Sequence, residues 1–168
     1  MPRRNLIFYP DRFYHIYNIG FEKQNIFLEA NDYEKFYSKL LQKQKEFEES
    51  GISLEAWNLL PDHFHILIIQ RNTNQEDNIT KFMQQLQCGY GKWFANKYKK
   101  KGQIFDGRFE AVEVGSEEQL QNITNYIEQN TEKHLGIPYQ NRKRKSNNQT
   151  EANITVDEEN IKDIIIEN

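Results

Sequence analysis

An α+β fold, built on a four-stranded antiparallel sheet with helices packed against one face, is the architecture this sequence predicts. Three observations lead there. Short runs rich in β-branched and aromatic residues alternate with long stretches at helical spacing. Their order reads β-α-β-β-α-β with one further helix at the end. Between the second and third strands stands only a turn dipeptide, as an antiparallel pair permits and a parallel pair does not.

Residues 12–20, RFYHIYNIG, read as the first strand, closed by glycine. A helix is predicted over about 31–50, where Asn31 with Glu34 resembles a capping box and Gly51 supplies the stop. Tyr33, Phe36, Tyr37, Leu40, Leu41 and Phe47 keep to one side of it, with lysines, glutamates and glutamines on the other. Residues 53–59 and 63–70 read as strands joined around Pro61-Asp62. A second helix follows over roughly 77–99, with Ile79, Phe82, Met83, Leu86, Tyr90, Trp93 and Phe94 as its apolar stripe. Residues 108–114, RFEAVEV, read as the fourth strand. Ser116 with Gln119 opens a last helix over about 116–133, whose apolar residues are Leu120, Ile123 and Ile127. Joined without crossings, these elements give a split β-α-β, ferredoxin-like arrangement, with the second sheet face left open for a ligand.

At 168 residues the chain has the length of one domain with a core of its own. Residues 1–140 are expected to form it. Residues 141–168 are polar and without periodicity, the composition of a disordered tail, although IKDIIIEN at its end has the character of a short docking segment. No N-terminal stretch has the make-up of a signal peptide, and the longest apolar runs are far too short to span a bilayer. The one cysteine, Cys88, falls among apolar helix positions and is expected to pack there. A lone thiol suits a reducing compartment, so a cytoplasmic location is expected.

The net charge of −3 argues mildly against a nonspecific nucleic-acid binder. Locally the balance is different: KWFANKYKKK, residues 92–101, carries five lysines, three aromatics and no acid. Such a run could neutralise phosphates and stack on bases, but on that stretch alone a solvated helix end facing its own dipole is the better reading.

The most informative stretch is LLPDHFHILIIQ, residues 59–70. Side chains two apart on a strand share a face, so His63 and His65 project together while Phe64 enters the core. The spacing suits two imidazoles on one cation, though a pair alone falls short of a complete site. Two half-exposed histidines on a polar sheet face are the alternative. Asp62 would point to the opposite face if the strand were regular. Downstream, Tyr126 and Asn130 stand four apart in NYIEQN, on one side of the last helix and at the edge of its apolar stripe. His15 belongs to the neighbouring strand, where a structural role is expected; His134 has none assigned.

LLPDHFHILI resembles the histidine–hydrophobic–histidine strand of the single-tyrosine transposases, that is, the insertion-sequence-200-like and REP-associated tyrosine transposases. YHIYNIGFEKQNIFLEANDYEKFYSKL looks like that family's first strand and first helix. GQIFDGRFEAVEV looks like its glycine-to-fourth-strand region, and LQNITNYIEQN is similar to its tyrosine helix. Histidines first and tyrosine later is the order of transposases and rolling-circle initiators rather than relaxases; the lack of a helicase domain disfavours an initiator. The resemblance implies metal ligation by His63, His65 and Asn130, with Tyr126 as nucleophile. Thr131 stands where the family has proline, EKHLG replaces the usual basic and small residues after it, and Ile19 lies near a point where arginine is common.

By the same resemblance, the activity is cleavage and rejoining of single-stranded or hairpin DNA with Mg²⁺ or Mn²⁺, through a 5′-phosphotyrosine. A phenol with its ordinary pKa of about 10 is ionised roughly one part in a thousand at neutral pH, so the nucleophile needs nearby positive charge. Lys92, Lys97, Lys99, Lys100, Lys101 and Arg108 are the candidate backbone contacts. Family members include dimers with the tyrosine helix supplied in trans, so a homodimer is among the expected states. Two rivals remain from other classes. One is a noncatalytic or domesticated nucleic-acid-binding module of the same fold. The other is a metallohydrolase, for which a further ligand is not evident.

Overall fold

The computed structural model describes residues 7–71 and 78–135. The tail expected at 141–168 lies outside the described residues. The elements are β1 (Arg12–Ile19), α1 (Ala30–Glu46), β2 (Ile52–Leu60), β3 (His63–Gln70), α2 (Asn78–Tyr98), β4 (Glu110–Val114) and α3 (Glu117–Leu135). They form one four-stranded sheet in the order β2-β3-β1-β4, with every neighbouring pair antiparallel. Among the described residues no helix is long and apolar enough to cross a membrane.

Alternation along the strands sorts the side chains into two cores. Tyr14, Ile16, Phe64, Ile66 and Ile68 face α1 and α2, where Phe36, Leu40, Phe82, Leu86 and Tyr90 complete the larger cluster. The opposite face is not left open, as the sequence had led us to expect. Helix α3 packs across it, and Leu120, Ile123 and Ile127 form a smaller cluster with Ala56, Leu67 and Val114. The apolar stripe of α3 needs an apolar partner, and the alternate residues of β2, β3 and β4 provide it.

A bulge in β2 helps to set this division. Leu54 pairs with Ile68 but Ala56 pairs with Leu67, so the register shifts at Glu55 and the strand exchanges faces. Without that shift Ala56 would share Leu54's side. With it, Ala56 turns to α3 and Asn58 comes opposite His65.

Of the helix ends read from the sequence, the start of α1 differs from expectation. Asn31 and Glu34 are not the cap of α1. The Asp32 carboxylate accepts from the backbone N–H groups of Leu28 at 2.8 Å and Glu29 at 3.2 Å, which starts the helix at Ala30. At the other end Gly51 adopts φ +77°, the left-handed conformation that a glycine stop supplies. At the start of α3, Ser116 Oγ accepts from the Gln119 N–H, and Gln119 Oε1 accepts from the Gly115 N–H. Cys88 is exposed rather than packed. It falls midway between Leu86 and Tyr90 and therefore on the far side of the buried stripe of α2.

Candidate functional site

The β2–β3 hairpin turns in two residues, since Leu60 pairs with His63 across Pro61 and Asp62. Its position is held from outside the hairpin. The Pro61 carbonyl accepts from Ile26 N–H at 2.8 Å and Phe27 N–H at 3.0 Å, and the Asp62 carbonyl accepts from Gly20 N–H at 2.7 Å. Gly20 must lack a side chain, because a Cβ there would stand 1.9 Å from the Gln24 carbonyl oxygen. The segment after β1 is thus clamped to the turn that carries His63.

His63 and His65 share a face, as their spacing requires, with ring centroids 5.1 Å apart and planes nearly perpendicular. His63 is partly exposed, whereas His65 is 4% exposed. Above them lies Tyr126 of α3, its ring centroid 5.9 Å from that of His65 in an edge-to-face arrangement. Asn130 comes one turn later in α3; its side chain lies outside the described residues. Three of the four residues drawn from separate parts of the sequence are therefore described, and they meet on one sheet face.

Two contacts around the pair were not legible in the sequence. The first concerns Asp62. Its Oδ1 lies 2.5 Å from His63 Nδ1, on the side where alternation had assigned it the opposite face. Asp62 belongs to the turn rather than to β3, so strand alternation does not govern it. A carboxylate accepts, so Nδ1 of His63 donates and Nε2 is the remaining ring nitrogen. The second concerns His15, whose Nε2 lies 3.0 Å from His65 Nδ1, with the two rings offset-stacked at 5.1 Å. Tyr17 is the residue opposite His65 in the β1–β3 register, so His15 reaches the ligand candidate diagonally, from two residues away. Burial pushes the His15 imidazole down to about 4. Burial, and then the neighbouring His15 and His63, push His65 well below the usual histidine range. Both buried rings are neutral at neutral pH, the state in which an imidazole binds a cation.

This arrangement fits a cation. In each of the two candidate ligands Nδ1 is engaged by another protein group and Nε2 is the remaining ring nitrogen, the pattern in which outer groups orient metal-binding imidazoles. Among the described residues no three His, Cys, Asp or Glu side chains converge on one position. A third protein donor of another type, such as an amide, is what the pair would need.

The lysine candidates divide. Lys97 Nζ lies 2.6 Å from Asp32 and 2.5 Å from Glu29, and stands 4.8 Å from the Trp93 ring centroid. Lys100 is hydrogen-bonded to Gln24. Lys92, Lys99, Lys101 and Arg108 are exposed. The loop that carries Arg108 is fastened to the end of β1: Asp106 N–H donates to the Ile19 carbonyl at 2.8 Å, and Phe105 bridges to Gly20. Ile19 is the partner of His63, so this loop borders the histidine end of the sheet.

Comparison with known proteins bears on the fold and the family. A structure of the REP-associated tyrosine transposase bound to a REP hairpin aligns with a TM-score of 0.58 at 15% identity, over 82% of this chain and 76% of that one. A candidate transposase from Deinococcus radiodurans R1 aligns with a TM-score of 0.46 at 18% identity, over 77% of this chain and 97% of that one. None of the curated proteins compared matches the sequence. The model of the family described as IS200-like transposase matches residues 11–130, a span that includes both histidines and Tyr126. The chain belongs to the IS200-like transposase family.

Proposed function

We propose that this protein is a cytoplasmic tyrosine transposase that cuts and rejoins single-stranded or hairpin DNA, with Tyr126 as nucleophile and His63, His65 and Asn130 as ligands of Mg²⁺ or Mn²⁺. The observation that carries the reading is the meeting of Tyr126 with His65 and His63 on one sheet face, from elements some sixty residues apart. The cation, when bound, supplies positive charge to a nonbridging oxygen of the scissile phosphate.

In the chemical step Tyr126 Oη attacks phosphorus and the bond from phosphorus to the 3′ oxygen breaks. The phenolic proton is lost and the leaving oxygen gains one, giving a 5′-phosphotyrosine and a free 3′-hydroxyl. The phosphodiester energy stays in the new ester, so a second strand's 3′-hydroxyl can reverse the step. Exposed Lys92, Lys99, Lys101 and Arg108 supply charge for the DNA backbone; Lys100 and Lys97 are partly committed to Gln24, Asp32 and Glu29. Either a monomer or a homodimer with exchanged tyrosine helices satisfies this chemistry.

The test is covalent capture. Purified protein is incubated with labelled single-stranded oligonucleotides, including hairpins from beside its own gene, and Mg²⁺ or Mn²⁺, then run on a denaturing gel. The expected result is a denaturation-resistant adduct that requires the cation and disappears in Tyr126→Phe and in His63→Ala. Tight native binding with no adduct on any substrate favours a noncatalytic DNA-binding module. An adduct that survives in Tyr126→Phe assigns the nucleophile to another residue.

A further inference from the structure

We infer that His15 is a positioning residue for the cation site: its Nε2 accepts a hydrogen bond from His65 Nδ1–H and so fixes His65 in the tautomer whose Nε2 lone pair is available to a metal. The inference rests on the proposed role of His65 as a ligand.

The geometry leaves little freedom. His15 and His65 are each 4% exposed, and their facing nitrogens are 3.0 Å apart. Two neutral imidazoles at this distance share one proton, and it sits on one nitrogen or the other. If His15 donated, His65 would carry its proton on Nε2. Its Nδ1 would then be engaged by His15, and no lone pair would remain for a cation. If His65 donates, Nε2 becomes a donor to metal on the face that His63 shares. Asp62 favours the same outcome at His63, where a carboxylate oxygen accepts a hydrogen bond from Nδ1–H at 2.5 Å. The two ligands are thus set by different devices, a hydrogen-bonding carboxylate in the turn and a buried neutral ring on the adjacent strand.

A purely structural histidine at position 15 would fill space and satisfy its own nitrogens. It would not dictate the proton position on its neighbour. Glutamine places an amide oxygen in similar reach and can accept from His65; phenylalanine keeps the volume and removes the acceptor.

The experiment is long-range ¹H–¹⁵N NMR on the full-length, metal-free, ¹⁵N-labelled protein, in which only four histidines contribute signals. His65 is assigned from its missing signals in His65→Ala. The expected result is protonation of His65 at Nδ1 in the parent protein and in His15→Gln. In His15→Phe the proton shifts toward Nε2, the position favoured by a free imidazole side chain. Mn²⁺ titration should then show affinity weakened about tenfold to a hundredfold in His15→Phe and largely restored in His15→Gln. A parent protein with His65 protonated at Nε2 overturns the inference, as does a His15→Phe variant with unchanged tautomer and affinity. The two proposals fail separately. The expected tautomer in a protein that never forms a DNA adduct supports the role of His15 and overturns the nuclease reading. An Nε2 proton on His65 in a protein that does form the adduct overturns the role of His15 alone.

Discussion

Replacing Asp32 by alanine removes an acceptor on which four donors converge: the backbone N–H groups of Leu28 and Glu29, Lys97 Nζ and Tyr98 Oη. The residue is fully buried, so water cannot substitute for it. Removing one member of a buried ion pair costs about 3–5 kcal/mol, and loss of an N-terminal helix acceptor alone costs about 1. Lys97 retains Glu29 and the Trp93 ring face and keeps some solvent contact, which favours the lower end, about 3 kcal/mol. At a typical urea m-value of about 2 kcal/mol per molar, the unfolding midpoint should fall by roughly 1.5 M. Burial alone would raise the Asp32 pKa, but hydrogen bonds from Lys97, Leu28, Tyr98 and Glu29 outweigh it and hold the carboxyl below its ordinary value. A depressed carboxylate stabilises the fold above its unfolded pKa, about 3.9, and ceases to do so as pH falls through the folded value. The midpoint gap between the parent protein and Asp32→Asn should therefore be full at neutral pH and narrow only below about pH 3.9. Urea titrations followed by circular dichroism read both quantities. A loss under about 1 kcal/mol in Asp32→Ala, or a gap that persists unchanged to about pH 2.5, would refute the reasoning.

Four other outcomes follow from contacts described above. Gly20→Ala forces the Gln24 carbonyl away from a Cβ that would stand at 1.9 Å, and should destabilise the protein by about 1–3 kcal/mol; an unchanged thermal midpoint would count against the clamp on the hairpin. Asp62→Ala should weaken Mn²⁺ affinity about tenfold to a hundredfold while leaving cation-free DNA binding intact, as a calorimetric titration would show. Neutralising Lys99, Lys101 or Arg108 with glutamine should lower the salt dependence of single-strand binding by about 0.7 per lost phosphate contact. Lys97→Gln should instead lower the unfolding midpoint and leave that slope unchanged, because its charge is held by Asp32 and Glu29.

Periodicity was enough to read the order of elements, because strands and helices here carry strong and different spacings. The placement of His63 and His65 on a shared face followed from strand geometry alone. What escaped the sequence depended on relations between strands. The bond from His15 to His65 requires the β1–β3 register that sets Tyr17 opposite His65, and register is not written in either strand separately. Asp62 was misjudged because alternation was carried one residue beyond the strand, into a turn where it does not hold. The burial of Asp32 was hidden for a similar reason, since its compensating donors Lys97 and Tyr98 come from a helix more than sixty residues away. That α3 closes the second face was not legible either, because the residues that receive its stripe, Ala56, Leu67 and Val114, come from three different strands.

The division of the core has a consequence for how the molecule opens. Among the described residues, helix α3 adheres through a smaller cluster of its own, Leu120, Ile123 and Ile127 on Ala56, Leu67 and Val114 with Phe13 and Tyr126 packed against it, and takes no part in the larger cluster beneath α1 and α2. A unit held by the smaller cluster is expected to detach at a lower free energy than the sheet it covers, so its amides should exchange with deuterium ahead of those of β1 and β3. His63 and His65 belong to the sheet, expected to exchange slowly, and Tyr126 to α3, expected to exchange first. Under the proposed chemistry, a DNA strand esterified to Tyr126 would ride on the layer that is free to lift, while the imidazoles stay anchored to the rigid one.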